Sequence, residues 1–342
     1  MSENKIDRSV WMIFFEGVKI YCQNFHKFFL YMAFPVLGQL LGLLMIFGFI
    51  FWFSSNLAVL SAKYQLLNNF STLSILIILI VLPGLIIFTK AFWEYLIAYG
   101  ALNSMAEGAL TTSRVYDFPA HKATVKQNLL TFIGLWFLYS LFLVLASIPF
   151  FFLLWIGFVY FVLIFQVFTF EKELSPVGCF KRSFELIKGK FGRTVLLMAI
   201  LGVVTFYLIT AAISVIFDAI KLSNILVPVF ETWCMSLPIE EINKIYEPLT
   251  NTTLTPLMFA KSIITQIELF IAVGFTLPLR SICWTLWYKN NGGATVPLKA
   301  KKSPRKKTKA KEIKKAPTSF KIEKREIDPE IIRRARWEDD NY

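Results

Sequence analysis

Two histidines, His26 and His121, and four cysteines, Cys22, Cys179, Cys234 and Cys283, are the whole supply of imidazole and thiol in this sequence of 342 residues. The cysteines stand far apart with no CxxC spacing, which indicates neither a disulfide framework nor a zinc site. Neither histidine has a carboxylate or cysteine cluster at metal-ligand spacing, so both read as side chains at membrane edges. HExxH, GxSxG, the P-loop and the glycine-rich dinucleotide turn are missing. So is the aspartate-rich phosphotransfer motif expected of enzymes that make membrane lipids. The sequence therefore offers no catalytic residue, no metal ligand and no cofactor, and it argues against an enzyme. Met1–Arg8 is polar and leads into an amphipathic stretch without a small-residue cleavage site, so no signal peptide is expected.

Charge is absent where the fold needs it absent. From Gln127 to Phe170 run 44 residues without Asp, Glu, Lys, Arg or His. About 20 apolar residues cross a bilayer as a helix, so this run is two crossings back to back. Ser147-Ile148-Pro149 in its middle is the expected turn, because proline breaks the helical bonding ladder. The whole chain is 56% hydrophobic and 16% aromatic, with a mean hydropathy of +0.58. Those values place it in the membrane class.

In chain order, Val10–Phe25 reads as an interfacial amphipathic helix. Trp11, Phe14, Phe15, Val18, Tyr21, Cys22 and Phe25 share one face. Spans are expected at about 28–53, 73–99, 129–147, 150–170, 194–217 and 258–288, giving an all-α polytopic bundle of six transmembrane helices within residues 1–290. Ser54–Thr72 reads as a polar loop. Lys90 and Glu94 could pair at i, i+4. Asp117 and Pro119 are placed to start a short helix. Ser175-Pro176 and Thr255-Pro256 are helix starts, a hydroxyl cap followed by proline. The helix after Ser175 is again interfacial, with Phe180, Phe184, Ile187 and Phe191 on one stripe. Lys221–Pro256 reads as a long connection holding a short acidic helix near Ile239–Tyr246, stopped by Pro248. Asn69-Phe70-Ser71 and Asn251-Thr252-Thr253 match the glycosylation pattern.

Basic residues alternate by connection. They gather before the first span, between the second and third, and between the fourth and fifth. The positive-inside rule then puts both termini in the cytoplasm of an inner or plasma membrane. Three segments share a plan of interfacial helix, joint and two spans. Their joints read Gln23-Asn24-Phe25, Gln127-Asn128-Leu129 and Gly189-Lys190-Phe191, and the same alignment superposes Phe14, Phe118 and Phe180. The pattern suggests three repeated hairpins.

After Leu174 the residues read SPVGCFKRSFELIKGKFGRT, a basic amphipathic helix ending in Gly-x-Phe-x-Arg before a span. Leu277-Pro278-Leu279 through Trp287-Tyr288-Lys289 close the last span. Both stretches resemble the membrane-domain family of glycerophosphoryl diester phosphodiesterases and its uncharacterised six-span relatives, over roughly residues 5–290. The resemblance implies a six-helix membrane module without catalytic residues of its own, sometimes joined to a separate hydrolase domain. The 54 residues after Tyr288 are too few for such a domain.

Candidate sites follow from charge. Glu268, Arg280 and Gln39 are polar groups at membrane depth, where burial of charge is costly and usually functional. The structural alternative is that Lys261 and Arg280 snorkel while Glu268 pairs within the bundle. Lys181, Arg182, Lys188, Lys190 and Arg193 would meet anionic lipid head groups. The chain from Lys289 carries 17 Lys/Arg against 8 Asp/Glu. Residues 291–342 read as a basic, largely disordered cytoplasmic tail. It holds a lysine-rich linker at Lys299–Lys315, and after Asp328-Pro329-Glu330 a short terminal helix with Ile331, Ile332 and Trp337 as candidate partner-docking residues. Without interleaved aromatics the tail suits nucleic acid poorly. The expected role is a non-enzymatic module that organises lipid or a partner protein at the cytoplasmic face. The other reading is a transporter or channel that uses the polar residues of the last span.

Overall fold

A computed structural model describes residues 8–112, 115, 118–147 and 151–293. The described chain is all helical. α1 (Val10–Gln23) starts on Ser9, whose hydroxyl accepts from the Met12 N–H at 3.2 Å. α2 (Phe25–Lys63) and α3 (Phe70–Thr112) form a long antiparallel hairpin, joined by a 3₁₀ turn at Gln65–Asn68. α4 (Phe118–Lys126) bends by 74° into α5 (Leu129–Ser147). α6 (Phe151–Phe161), α7 (Ile164–Phe170) and α8 (Pro176–Ile187) follow. α9 (Phe191–Val203) passes through a π segment, Val204–Ile209, into α10 (Thr210–Ala219). α11 (Leu222–Met235), α12 (Ile239–Thr250), α13 (Pro256–Phe275) and α14 (Leu277–Asn290) complete it.

Four of these helices are long and apolar enough to cross a membrane, or up to six if each bent pair is one span. Their outer faces are lined with exposed large side chains such as Leu37, Leu41, Leu44, Phe47 and Trp52. Exposed Phe and Leu at this density are what a lipid-facing surface requires.

Several expected boundaries are moved by the structure. Ser54–Thr72 is not a loop: α2 continues to Lys63 and α3 begins at Phe70. At 1.5 Å per residue the 39 residues of α2 span roughly 58 Å. Nothing in 54–63 breaks a helix, and pairing with the equally long α3 supports it. α3 runs on to Thr112, well past 99, because Ile97, Ala98, Ala101, Leu102, Met105 and Ala106 are buried in the centre of the molecule. Lys90 does not hold Glu94, whose carboxylate is taken by Lys122 at 2.6 Å. The expected fourth span is broken at Val162-Leu163. There the Ser183 hydroxyl of α8 donates to the Tyr160 carbonyl at 2.7 Å, and an inserted side chain is a known cause of a helix break. The expected last span is broken at Thr276. Pro278 supplies no N–H, and the Arg280 Nη2 donates to the Val273 carbonyl at 2.6 Å in place of the ladder.

The connection after Lys221 is also helical. Lys221 takes a left-handed φ of 58° to turn the chain, and α11 then packs along α13. Pro248 lies inside α12 and does not stop it. The turn expected at Ser147-Ile148-Pro149 falls largely outside the described residues.

Both expected caps form. Ser175 accepts from Gly178 N and Thr255 from Met258 N, each at 3.2 Å. The three joints also form. Asn24 and Lys190 take nearly the same backbone angles, φ −118° and ψ 17° against φ −123° and ψ 15°. In each joint a carbonyl receives the N–H four residues on, from Phe28, Phe132 and Thr194. The expected aromatic stripe is split: Trp11, Phe15 and Cys22, with Phe25 at the start of α2, are exposed, whereas Phe14, Val18 and Tyr21 pack against the core beside buried Val10, Ile13 and Gly17. α1 therefore has two apolar faces, and its inner one runs along α14.

Gly42 fixes the approach of α2 to α3. A Cβ there would sit 2.7 Å from Phe88 Cβ and 2.8 Å from the Gly84 carbonyl. Gly42→Leu should lower stability by about 1–3 kcal/mol through overpacking. Gly48 has nothing within 4 Å of its Cβ position. Gly48→Ala should leave the unfolding temperature in detergent unchanged or slightly raised. Equal losses at both positions would remove the close approach as the cause.

Candidate functional site

Polar chemistry concentrates at the end of the bundle where α1, α4, α8 and the last turn of α14 meet. α14 reaches that end because its apolar surface is enclosed by α1, α3, α7 and α13. Trp287 donates its indole N–H to Thr194 Oγ1 at 3.1 Å, and Tyr288 donates its hydroxyl to Glu171 at 2.8 Å. Glu171 also receives Arg182 Nε at 3.1 Å on both oxygens. Burial alone would lower the Arg182 guanidinium, but Glu171 and Tyr288 hold it above its ordinary value. Lys190 Nζ reaches Asn291 Oδ1 at 3.0 Å and the Asn290 carbonyl at 3.4 Å. The Arg8 N–H donates to Asn290 Oδ1 at 3.0 Å, and Lys289 pairs with Glu107 of α3. Residues 288–292 are thus clamped from four sides, directly before the basic tail begins.

The five residues proposed for anionic lipid divide accordingly. Arg182 and Lys190 belong to the clamp and hold protein groups. Lys181, Lys188 and Arg193 are exposed, and Arg193 has a further interaction of its own. Ile331, Ile332 and Trp337 lie outside the described residues.

Glu268, Arg280 and Gln39 do not come together in one site. Gln39 is buried and donates to the Pro35 carbonyl of its own helix at 2.6 Å. Glu268 is 5% exposed and faces α10, where Ser214 is its hydrogen-bonding neighbour and Asp218 the nearest charge. Among the described residues it forms no ion pair. Arg280 is half-buried: its Nη2 donates to the Val273 carbonyl, and it lies beside Tyr95, whose ring centroid is 5.8 Å from that of Tyr99.

Sequence reasoning missed two polar clusters. Gln166 Nε2 donates to Asn103 Oδ1 at 3.1 Å, and Thr169 Oγ1 donates to the Phe165 carbonyl at 2.7 Å while lying 3.4 Å from Asn103 Nδ2. All three are buried. Thr205 of the π segment donates to Thr276 at the α13/α14 break, 3.2 Å away. Uncharged side chains in apolar runs carry no charge signal, so only packing reveals them. A pocket of about 210 Å³ between α2 and α3 is lined by Ile50, Phe53, Leu57, Ile77, Ile80 and Val81 with Ser54. It is apolar and lies apart from these clusters. Among the described residues no group of three or more His, Cys, Asp or Glu could hold a metal.

Glu171→Ala removes the acceptor that Arg182 Nε and the Tyr288 hydroxyl share, while Arg182 keeps Glu185 at 3.6 Å. A cost of about 1–3 kcal/mol is expected for the lost bonds, toward the lower end because Arg182 is about one-third exposed and solvent screens it. Thermal unfolding in detergent should show it, whereas Lys181→Ala should unfold at the wild-type temperature. Equal unfolding temperatures for all three chains would mean that the clamp contributes no stability. No protein family model, no curated protein and no solved structure matches this chain.

Proposed function

We propose that the chain is a non-enzymatic multi-pass membrane module whose basic end organises lipid or a partner protein at the cytoplasmic face. The observation that carries this reading is the clamp on residues 288–292. It holds the residues that lead toward the basic stretch at the polar end of the bundle, through Arg182 and Lys190 among others. Each Lys or Arg near anionic lipid contributes about 1 kcal/mol. Six crossings with both termini inside fit the alternation of basic residues. The matching geometry at Asn24 and Lys190, with an equivalent hydrogen bond at Asn128, supports a triplicated hairpin. It also fits the proposed likeness to the membrane-domain family of glycerophosphoryl diester phosphodiesterases. Transport through a route made of Glu268, Arg280 and Gln39 has less behind it, since each is engaged locally.

Orientation is tested with thiols. Cys22 is exposed, while Cys179 is buried, and burial and Glu171 push its thiol up to about 11. A thiol that stays protonated at neutral pH reacts slowly. A membrane-impermeant maleimide should label Cys22 and spare Cys179 in vesicles with the cytoplasmic face outward, and label neither in intact cells. Labelling of Cys22 in intact cells would reverse the topology.

Function is tested by comparing the full chain with one ending at Gly293, which keeps every clamp residue. The full chain should co-purify with a cytoplasmic protein, or bind vesicles containing phosphatidylglycerol several-fold better than the shortened chain. Equal recovery and equal vesicle binding for the two chains would sink the reading.

A further inference from the structure

Around α14, Glu16, Glu94, Glu107 and Glu171 are each held by a cation: Arg8, Lys122, Lys289 and Arg182, the last of which also reaches Glu185 at 3.6 Å. Arg280, half-buried at the start of α14, differs from these and from the exposed surface lysines. It forms no ion pair among the described residues, and its Nε is buried without a hydrogen-bond partner. Its remaining contacts are one carbonyl, Val273, and one phenol, Tyr95. These are dipoles and do not neutralise a charge. A guanidinium cannot shed its proton, so it carries that charge at every accessible pH. Inside an apolar helix bundle an uncompensated ion is costly, and such residues mark ligand sites when no protein partner serves them.

The surroundings specify the ligand class. The buried Arg280 Nε–H is able to donate, and the phenols of Tyr95 and Tyr99 lie beside it. Guanidinium groups favour oxyanions, whose lone pairs match their donor geometry. Tyr99 packs edge-on to Trp136 with ring centroids 5.1 Å apart, and lies 5.2 Å from Phe165. On the flanking turns of α5, Ile133 and Phe137 are exposed. The polar donors therefore adjoin an apolar wall on the surface side.

We propose that Arg280, with Tyr95 and Tyr99, binds a phosphate oxyanion, and that the aromatic wall beside it accommodates the acyl chain when that phosphate belongs to a lipid. This site is separate from the exposed lysines and the tail, so it stands or falls independently of the proposed cytoplasmic role.

The test uses the full chain in nanodiscs of phosphatidylcholine and phosphatidylglycerol in equal parts, extracted into neutral detergent, with retained lipid counted by native mass spectrometry. The wild type should keep one phosphatidylglycerol per chain. Arg280→Gln should reduce that occupancy about tenfold or more, the size of a lost charge-assisted hydrogen bond. Because this change could disturb the α13/α14 break, Tyr95→Phe with Tyr99→Phe is tested beside it and should lower occupancy several-fold at an unchanged unfolding temperature. Replacing Lys244 by Gln at the far end should change nothing. Displacement of the lipid by inorganic phosphate would identify a soluble oxyanion as the ligand, and resistance to it would identify the lipid. Wild-type occupancy in both the Arg280 and the double tyrosine variants would overturn the proposal. So would loss confined to a Lys181→Gln, Lys188→Gln chain, a result that would favour the surface reading instead.

Discussion

Burial of α14 is the constraint on which the other elements depend. Eleven of its fourteen residues are buried, so partners must close on every side of it. Cys283 leaves α1 room to approach only at Gly17, where a Cβ would lie 2.4 Å from its sulfur. Trp287 and Tyr288 both bring polar atoms inward, and Thr194 and Glu171 meet them. A helix so enclosed forces its neighbours to supply hydrogen-bond partners at set positions. The shape of α1, α8 and the inner half of α3 can be traced to that demand.

The helix interruptions express the same demand. The ladder opens at Tyr160, at the π segment and at Thr276. In each place a side chain donates to a backbone carbonyl at the opening: Ser183 of α8 to Tyr160, Thr210 to Thr205, and Arg280 to Val273. In hydrocarbon a freed carbonyl without a partner costs several kcal/mol, so breaks persist only where such a group arrives. The outer halves of α2 and α3 contain no comparable partner and run unbroken, held by the glycine contact of Gly42 with Gly84.

Charge follows this division. At the basic end three ion pairs tie elements together: Glu94 of α3 to α4, Glu107 of α3 to α14, and Glu171 to α8. Other basic residues, such as Lys181 and Lys188, stay exposed beside these pairs. The surface charge and the internal charge thus do different work, although they sit in the same short stretch of α8.

The sequence by itself determined the class of protein, since 44 residues without charge can only be buried in an apolar phase as helices. It also determined the caps at Ser175 and Thr255 and the separate short helices α1 and α8. These depend on local rules: periodicity, a hydroxyl before a proline, the cost of charge in lipid. Only the tertiary structure decided where long helices break, which face of α1 is covered, and which acid meets which base. Glu94 prefers a lysine 28 residues away to one on its own helix, and Ser183 opens a helix it does not belong to. Such choices depend on distances across the fold, which residue spacing along the chain does not contain.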